Sequence, residues 1–216
     1  MSIRLFVFDL DGTLVDSLRD LAESANALLV ARGARPLDEP AIGTMVGDGA
    51  ATLVARVFSA AGLVPPADAL DRFLAIYETK LLDHTRPYEG IPEALAALGA
   101  RASLAVLTNK PRAATLRILS GFDLTRFFGD GAIVGGDGPF PRKPDPAGLL
   151  QLCVRANVGA DEAMMVGDSA VDWRTARNAG TRICLARYGF GFREFPQAQL
   201  GAGVTVIARP ADLLNL

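Results

Sequence analysis

Short apolar runs recur along the chain, and most stop at polar or glycine-rich turns. They are Ile3–Phe8, Ser103–Thr108, Ala132–Val134, Ala163–Val166, Arg182–Ala186 and Val204–Ala208. Continuous apolar runs of this length predict strands buried on both faces, as in a parallel sheet. Between most of them lie helical spacings, at Arg112–Leu119, Ala147–Ala156 and Val171–Ala179. Strand and helix in alternation predict a doubly wound, Rossmann-like α/β fold. Ligands of such sheets sit beyond the carboxyl ends of the strands.

One interval breaks the alternation. From Asp16 to about Thr85 only helical spacings occur. Ser17 with Asp20 resembles a capping box and Gly33 a helix stop. Between them Leu18, Leu21, Ala25, Leu28 and Leu29 share one face. A second helix is expected over Asp48–Ala61, with Leu53, Val54, Val57 and Phe58 inward. A third is expected over Pro66–Leu82, with Leu70, Phe73, Leu74, Tyr77 and Leu81 inward. The expected division is therefore a core of residues 1–15 and 86–216 with a helical cap of residues 16–85. A helical insert directly after the first strand would lie over the carboxyl edge of the sheet, where a lid belongs.

Composition narrows the classes. Of 216 residues, 50% are hydrophobic and 21% charged, as in ordinary globular proteins. Lys and Arg number 22 against 24 Asp and Glu, so there is no basic excess to suit a nucleic-acid backbone. The two cysteines, Cys153 and Cys184, sit in apolar stretches and read as small core residues, not a disulfide framework. Asp9 and Asp11 interrupt the first apolar run, and no stretch of 18 apolar residues follows. Neither a signal segment nor a membrane span is expected, and the expected location is cytoplasmic.

The candidate chemistry lies at strand ends. The first strand closes in FVFDLDGTLVDS, with Asp9 and Asp11 two residues apart and Gly12 and Thr13 allowing a sharp turn. Uncompensated buried carboxylates are costly, so a divalent cation is a natural partner, and hard oxygen ligands suit magnesium. The alternative is a pair of capping aspartates. In LAVLTNK, Thr108 ends a second strand ahead of a helix, a place that suits an anion. Lys143 stands in PRKPDP, a turn in which an isolated lysine is usually solvated. MMVGDSAVDW ends a third strand at Asp168, with Ser169 next and Asp172 four residues on; the alternative makes Asp168 the N-cap of the following helix and Asp172 a solvated first-turn acid. The segment Met45–Ala50 opens a cap helix, so Gly47, Asp48 and Gly49 are candidates to meet a substrate. Arg56, two turns on, could meet a carboxylate or equally form an exposed salt bridge.

Taken together, FDLDGTLVDS, LTN, RKP and VGDSAVD resemble the four motifs of the haloacid dehalogenase superfamily in its phosphatase branch. The helical insert resembles that family's C1 cap, and the return segment PYEGI, Pro87–Ile91, is similar to its phosphoglycolate phosphatases. The resemblance implies a magnesium-dependent phosphomonoester hydrolase. It makes Asp9 the nucleophile, Asp11 the acid and base, and Thr108 and Lys143 the groups that stabilise the phosphoryl oxygens. It gives the metal Asp9, the carbonyl of Asp11, and Asp168, with Gly12, Thr13, Ser169 and Asp172 in support. Asn109 is implied to touch the substrate. The implied partner is a small phosphate ester, most simply 2-phosphoglycolate, with no nucleic acid and no membrane, in a monomer or homodimer. A β-phosphoglucomutase-like activity, or another small ester or pyrophosphate as substrate, is the alternative. Dehalogenases and phosphonoacetaldehyde hydrolases lack the second aspartate, so Asp11 argues against both.

Overall fold

The computed structural model describes residues 2–201 and 203–216. Six parallel strands form its sheet: β1 (Leu5–Phe8), β4 (Ser103–Leu107), β5 (Ile133–Val134), β6 (Ala163–Gly167), β7 (Arg182–Ala186) and β8 (Val204–Ile207), in the order β5-β4-β1-β6-β7-β8. Two further strands, β2 (Val15–Asp16) and β3 (Arg86–Pro87), pair antiparallel as a separate ribbon. The doubly wound expectation holds.

Strand β1 is buried along its whole length, and its alternation serves two cores. Phe6 and Phe8 face one side, with α5 (Ile91–Gly99) and α6 (Arg112–Gly121). Leu5 and Val7 face the other, with α7 (Ala147–Ala156) and α8 (Ala170–Ala179). Burial on both faces explains why the run carries no polar alternation. Cys153 and Cys184 are buried in these two cores and unpaired.

The register aligns three strand ends. Phe8 lies opposite Val106 of β4 and Val166 of β6. Asp9, Thr108 and Asp168 therefore leave three adjacent strands at nearly one level. After β5 the chain crosses β1 to begin β6 on its far side, so this edge is also where the winding reverses.

Between β2 and β3 lie only helices: α1 (Leu18–Val30), α2 (Glu39–Gly43), α3 (Ala50–Ala60) and α4 (Ala69–Lys80). The apolar faces read from the sequence are the buried ones, including Leu21, Ala25, Leu53, Val57, Phe73 and Tyr77. Two helices lie outside the expected set, α2 and α5. The latter follows Gly90, whose φ of 88° ends the preceding turn, and it buries Ile91, Ala94, Leu95 and Leu98. No helix among the described residues is long and apolar enough to cross a membrane.

The capping box expected at Ser17 and Asp20 does not form. The Ser17 side chain makes no cap bond and instead donates to Asp11 Oδ1 at 2.5 Å. Asp20, fully buried, accepts from the backbone N–H groups of His84 and Thr85 and from the Thr85 hydroxyl at 2.7–3.1 Å. Tertiary donors outbid the local cap because they are buried and have no water to turn to.

Candidate active site

Asp9 is the first residue beyond β1. Its N–H donates to Val166 O, extending the β1–β6 ladder by one bond. Its Oδ1 accepts from Leu10 N–H at 2.7 Å and faces Lys143 Nζ at 2.9 Å. Oδ2 carries no protein donor among the described residues. Burial is the larger influence on this carboxyl, and even against Lys143 it pushes the pKa up to about 6.

Lys143 is not a solvated turn lysine. Its side chain is 1% exposed and also pairs with Asp172 Oδ1 at 2.6 Å. Burial works against its charge, but Asp172 and Asp9 outweigh it and raise the pKa above the ordinary lysine value. Asp172 Oδ2 in turn accepts from the Ser169 hydroxyl at 2.7 Å and the Ser169 N–H at 3.1 Å. Ser169 and Asp172 thus form a capping box on α8. Both oxygens of Asp172 are committed, so its part is to hold Lys143.

Asp168 is 2% exposed and accepts from Gly191 N–H at 2.8 Å and weakly from the Thr13 hydroxyl at 3.4 Å. Burial, then the charges of Asp172 and Asp9, hold its pKa well above the ordinary carboxylate range. Gly12 is required beside it: φ is +83°, and a Cβ there would lie 2.0 Å from Asp168 Oδ2. Asp9, Asp168 and Asp172 bring carboxylate oxygens within 4.8 Å of one another. Lys143 pairs with two of these three buried carboxyls, Asp9 and Asp172, so full ionisation would leave the cluster with two uncompensated negative charges. An all-oxygen cluster with that excess fits a divalent cation, and Asp9 and Asp168 are the members with capacity to hold it.

Asp11 sits apart from that cluster. Lys110 Nζ contacts its two oxygens at 2.9 and 2.8 Å and donates to Tyr77 Oη of α4 at 2.7 Å. Burial opposes the Lys110 charge, but Asp11 and then Tyr77 raise its pKa. Burial pushes the Tyr77 phenol up to about 12. Neither Lys110 nor the hydroxyl of Tyr77 was expected here. One signal was legible: a lysine just ahead of the α6 N-terminus opposes the helix dipole.

Thr108 and Asn109 are buried at the end of β4. Asn109 Nδ2 donates to Gly47 O at 2.9 Å and Lys143 O at 3.0 Å. Two carbonyl partners fix the amide orientation and leave Oδ1 as the one buried side-chain oxygen without a partner among the described residues. Asn109 is thus a strut between the helical insert and the core, and it also lines the chamber above them.

Above these residues lies a chamber of about 230 Å³. Asp9, Asp11, Thr108, Lys110 and Asp168 line its floor, and Gly47, Gly49, Leu53, Phe73 and Tyr77 line its roof. Of the residues expected to meet a substrate, Gly47 and Gly49 line this chamber, whereas Asp48 and Arg56 do not. Arg56 pairs with Asp48 at 2.7 Å and donates to Met45 O at 3.0 Å; its side chain is 42% exposed and neither residue lines the chamber. Two turns along α3 carry Arg56 to the outer face, where Asp48 neutralises it.

A parallel sheet with this acidic edge and a helical roof defines a class of hydrolase. The chain belongs to the haloacid dehalogenase-like hydrolases, whose family profile matches residues 6–186, and within them it is a phosphatase. It is 45% identical over 205 residues to the phosphoglycolate phosphatase of Rhodospirillum rubrum, covering 91% of this chain and 83% of that protein. It is 38% identical over 205 residues to the plasmid phosphoglycolate phosphatase of Cupriavidus necator, covering 93% and 87%. A crystal structure from Haemophilus somnus 129PT, described as a predicted phosphoglycolate phosphatase, superposes with a TM-score of 0.89 at 31% identity, covering 100% of this chain and 98% of that one.

Proposed function

We propose that the chain is a magnesium-dependent phosphatase that hydrolyses 2-phosphoglycolate through an aspartyl-phosphate on Asp9. The observation that carries the chemistry is the convergence of Asp9, Asp11, Thr108, Lys143 and Asp168 beneath one chamber. The substrate rests on the names of the relatives. Residues 16–85 act as the cap and residues 1–15 and 86–216 as the core.

Asp9 attacks phosphorus with the oxygen that no donor occupies, while Lys143 and the Leu10 N–H hold the other. The ester oxygen departs with a proton from Asp11, and Asp11 then takes a proton from the water that opens the acyl phosphate. Thr108 and Lys143 meet the charge on the phosphoryl oxygens. Asp9, the Asp11 carbonyl and Asp168 would hold magnesium, which supplies Lewis-acid polarisation of a phosphoryl oxygen and offsets the acidic cluster.

The test is a comparison of kcat/KM for 2-phosphoglycolate, sugar phosphates, nucleoside monophosphates and pyrophosphate. We expect 2-phosphoglycolate to lead by about tenfold or more, the worth of one charge-assisted contact. A neutral sugar phosphate in that position would remove the substrate assignment and leave the phosphatase. Conversion of β-glucose 1-phosphate to the 6-phosphate without phosphate release would replace it with a mutase. EDTA should abolish turnover and magnesium restore it, while calcium, with its looser coordination, should bind and inhibit. Full turnover in metal-free buffer would reject the metal.

A further inference from the structure

Two lysines are buried at the site, and they stand on opposite sides of the reaction. Lys143 touches Asp9, the nucleophile side. Lys110 touches both oxygens of Asp11, the group that must reach the ester oxygen of the leaving alcohol. In 2-phosphoglycolate that ester oxygen is joined through a single methylene to a carboxylate. An ammonium in contact with the acid that serves the ester oxygen is therefore within a side chain's reach of that carboxylate. Lys110 is also the only lysine or arginine that lines the chamber among the described residues. Arg56, the cation expected for this task, is outside and neutralised.

Resting on the 2-phosphoglycolate reading, we propose that Lys110 with Tyr77 forms the site that recognises the substrate carboxylate. Tyr77 Oη accepts from Lys110, so its own proton remains available to the incoming anion. An ammonium has three donors, and all three are engaged by Asp11 Oδ1, Asp11 Oδ2 and Tyr77. The substrate carboxylate thus gains its contact by exchange with an Asp11 oxygen. That exchange loosens Asp11 when a carboxylate-bearing leaving group is present, and Ser17 still holds Oδ1. Because Tyr77 belongs to α4 and Lys110 to the loop before α6, the same contact joins roof and floor around the anion.

The test measures kcat and KM with magnesium for 2-phosphoglycolate and for ethyl phosphate, which replaces the carboxylate by a methyl group. In the wild type 2-phosphoglycolate should lead. In Lys110→Met the ratio of the two kcat/KM values should fall by about tenfold or more, with the loss for 2-phosphoglycolate mainly in KM. Tyr77→Phe keeps the ring and should lower the same ratio by a smaller factor. It also reads the proposal if Lys110→Met fails to fold. A wild type that leads but variants that lose both substrates equally would reduce Lys110 to holding Asp11 and overturn the inference alone. A wild type with no preference for 2-phosphoglycolate overturns the reading beneath it as well.

Discussion

At the scale of the residue, Asp9 sets function against stability. Its carboxyl is raised from 3.8 to about 6 in the metal-free fold, chiefly by burial. The folded state therefore keeps the proton longer than the unfolded chain, and this group's contribution declines as pH rises through that window and stays lower above it. Asp9→Asn removes the ionisation and keeps the volume. Metal-free, the melting temperature of the variant should gain on that of the wild type as pH rises from about 4 to about 6. Saturating magnesium should close the gap by neutralising the wild-type carboxylate. Turnover should fall by about 10⁴-fold or more, because on the proposed mechanism the attacking group is gone. Thermal scans at several pH values without metal check the first, and an unchanged difference between the two proteins would show that burial does not govern Asp9. Its position was legible in FDLDGT, but its ion pair with Lys143 joins residues 134 positions apart in sequence and has no local signature.

At the scale of the element, the ribbon of β2 and β3 and the start of α1 tie the helical insert to the sheet. Asp20 is the knot, since one buried carboxylate answers three donors from His84 and Thr85. Asp20→Ala would strand those donors away from water. We expect a loss of about 2–4 kcal/mol, or about 2–4 °C in Tm for each kcal/mol. Asp20→Asn, which keeps one acceptor, should lose less. Equal melting temperatures for all three proteins would mean that the segments are held by other contacts. The periodicity of α1, α3 and α4 was plain because each buries one apolar stripe at helical spacing. Strands β2 and β3 were not, because two residues carry no period and their pairing spans the whole insert.

At the scale of the molecule, the insert closes over the sheet edge and leaves a chamber of about 230 Å³. Asn109 to Gly47 and Lys110 to Tyr77 are polar bonds across that closure. A small ester fits beneath such a roof, whereas a phosphorylated peptide would have to hold these contacts open. For a phosphoserine peptide kcat/KM should fall about 10²-fold or more below that of the best small ester. Phosphate release from both at matched concentrations measures it, and comparable rates would deny the roof a role in selection.

The sequence by itself determined the class of the fold, the helical insert and the order of Asp9, Asp11, Thr108, Lys143 and Asp168. Each is written locally, in the apolar period of a segment or in a motif at a strand end. Tertiary structure decided which polar groups meet. It turned Ser17 from a helix cap to a partner of Asp11, and Arg56 from a candidate ligand to an exposed ion pair. It also brought Lys110 between Asp11 and Tyr77, which lie 99 and 33 residues away along the chain. Helical spacing says which side chains share a face, but not which distant charge that face will meet. Where charges are buried that choice follows from desolvation, since each must find a partner and only the folded chain supplies one.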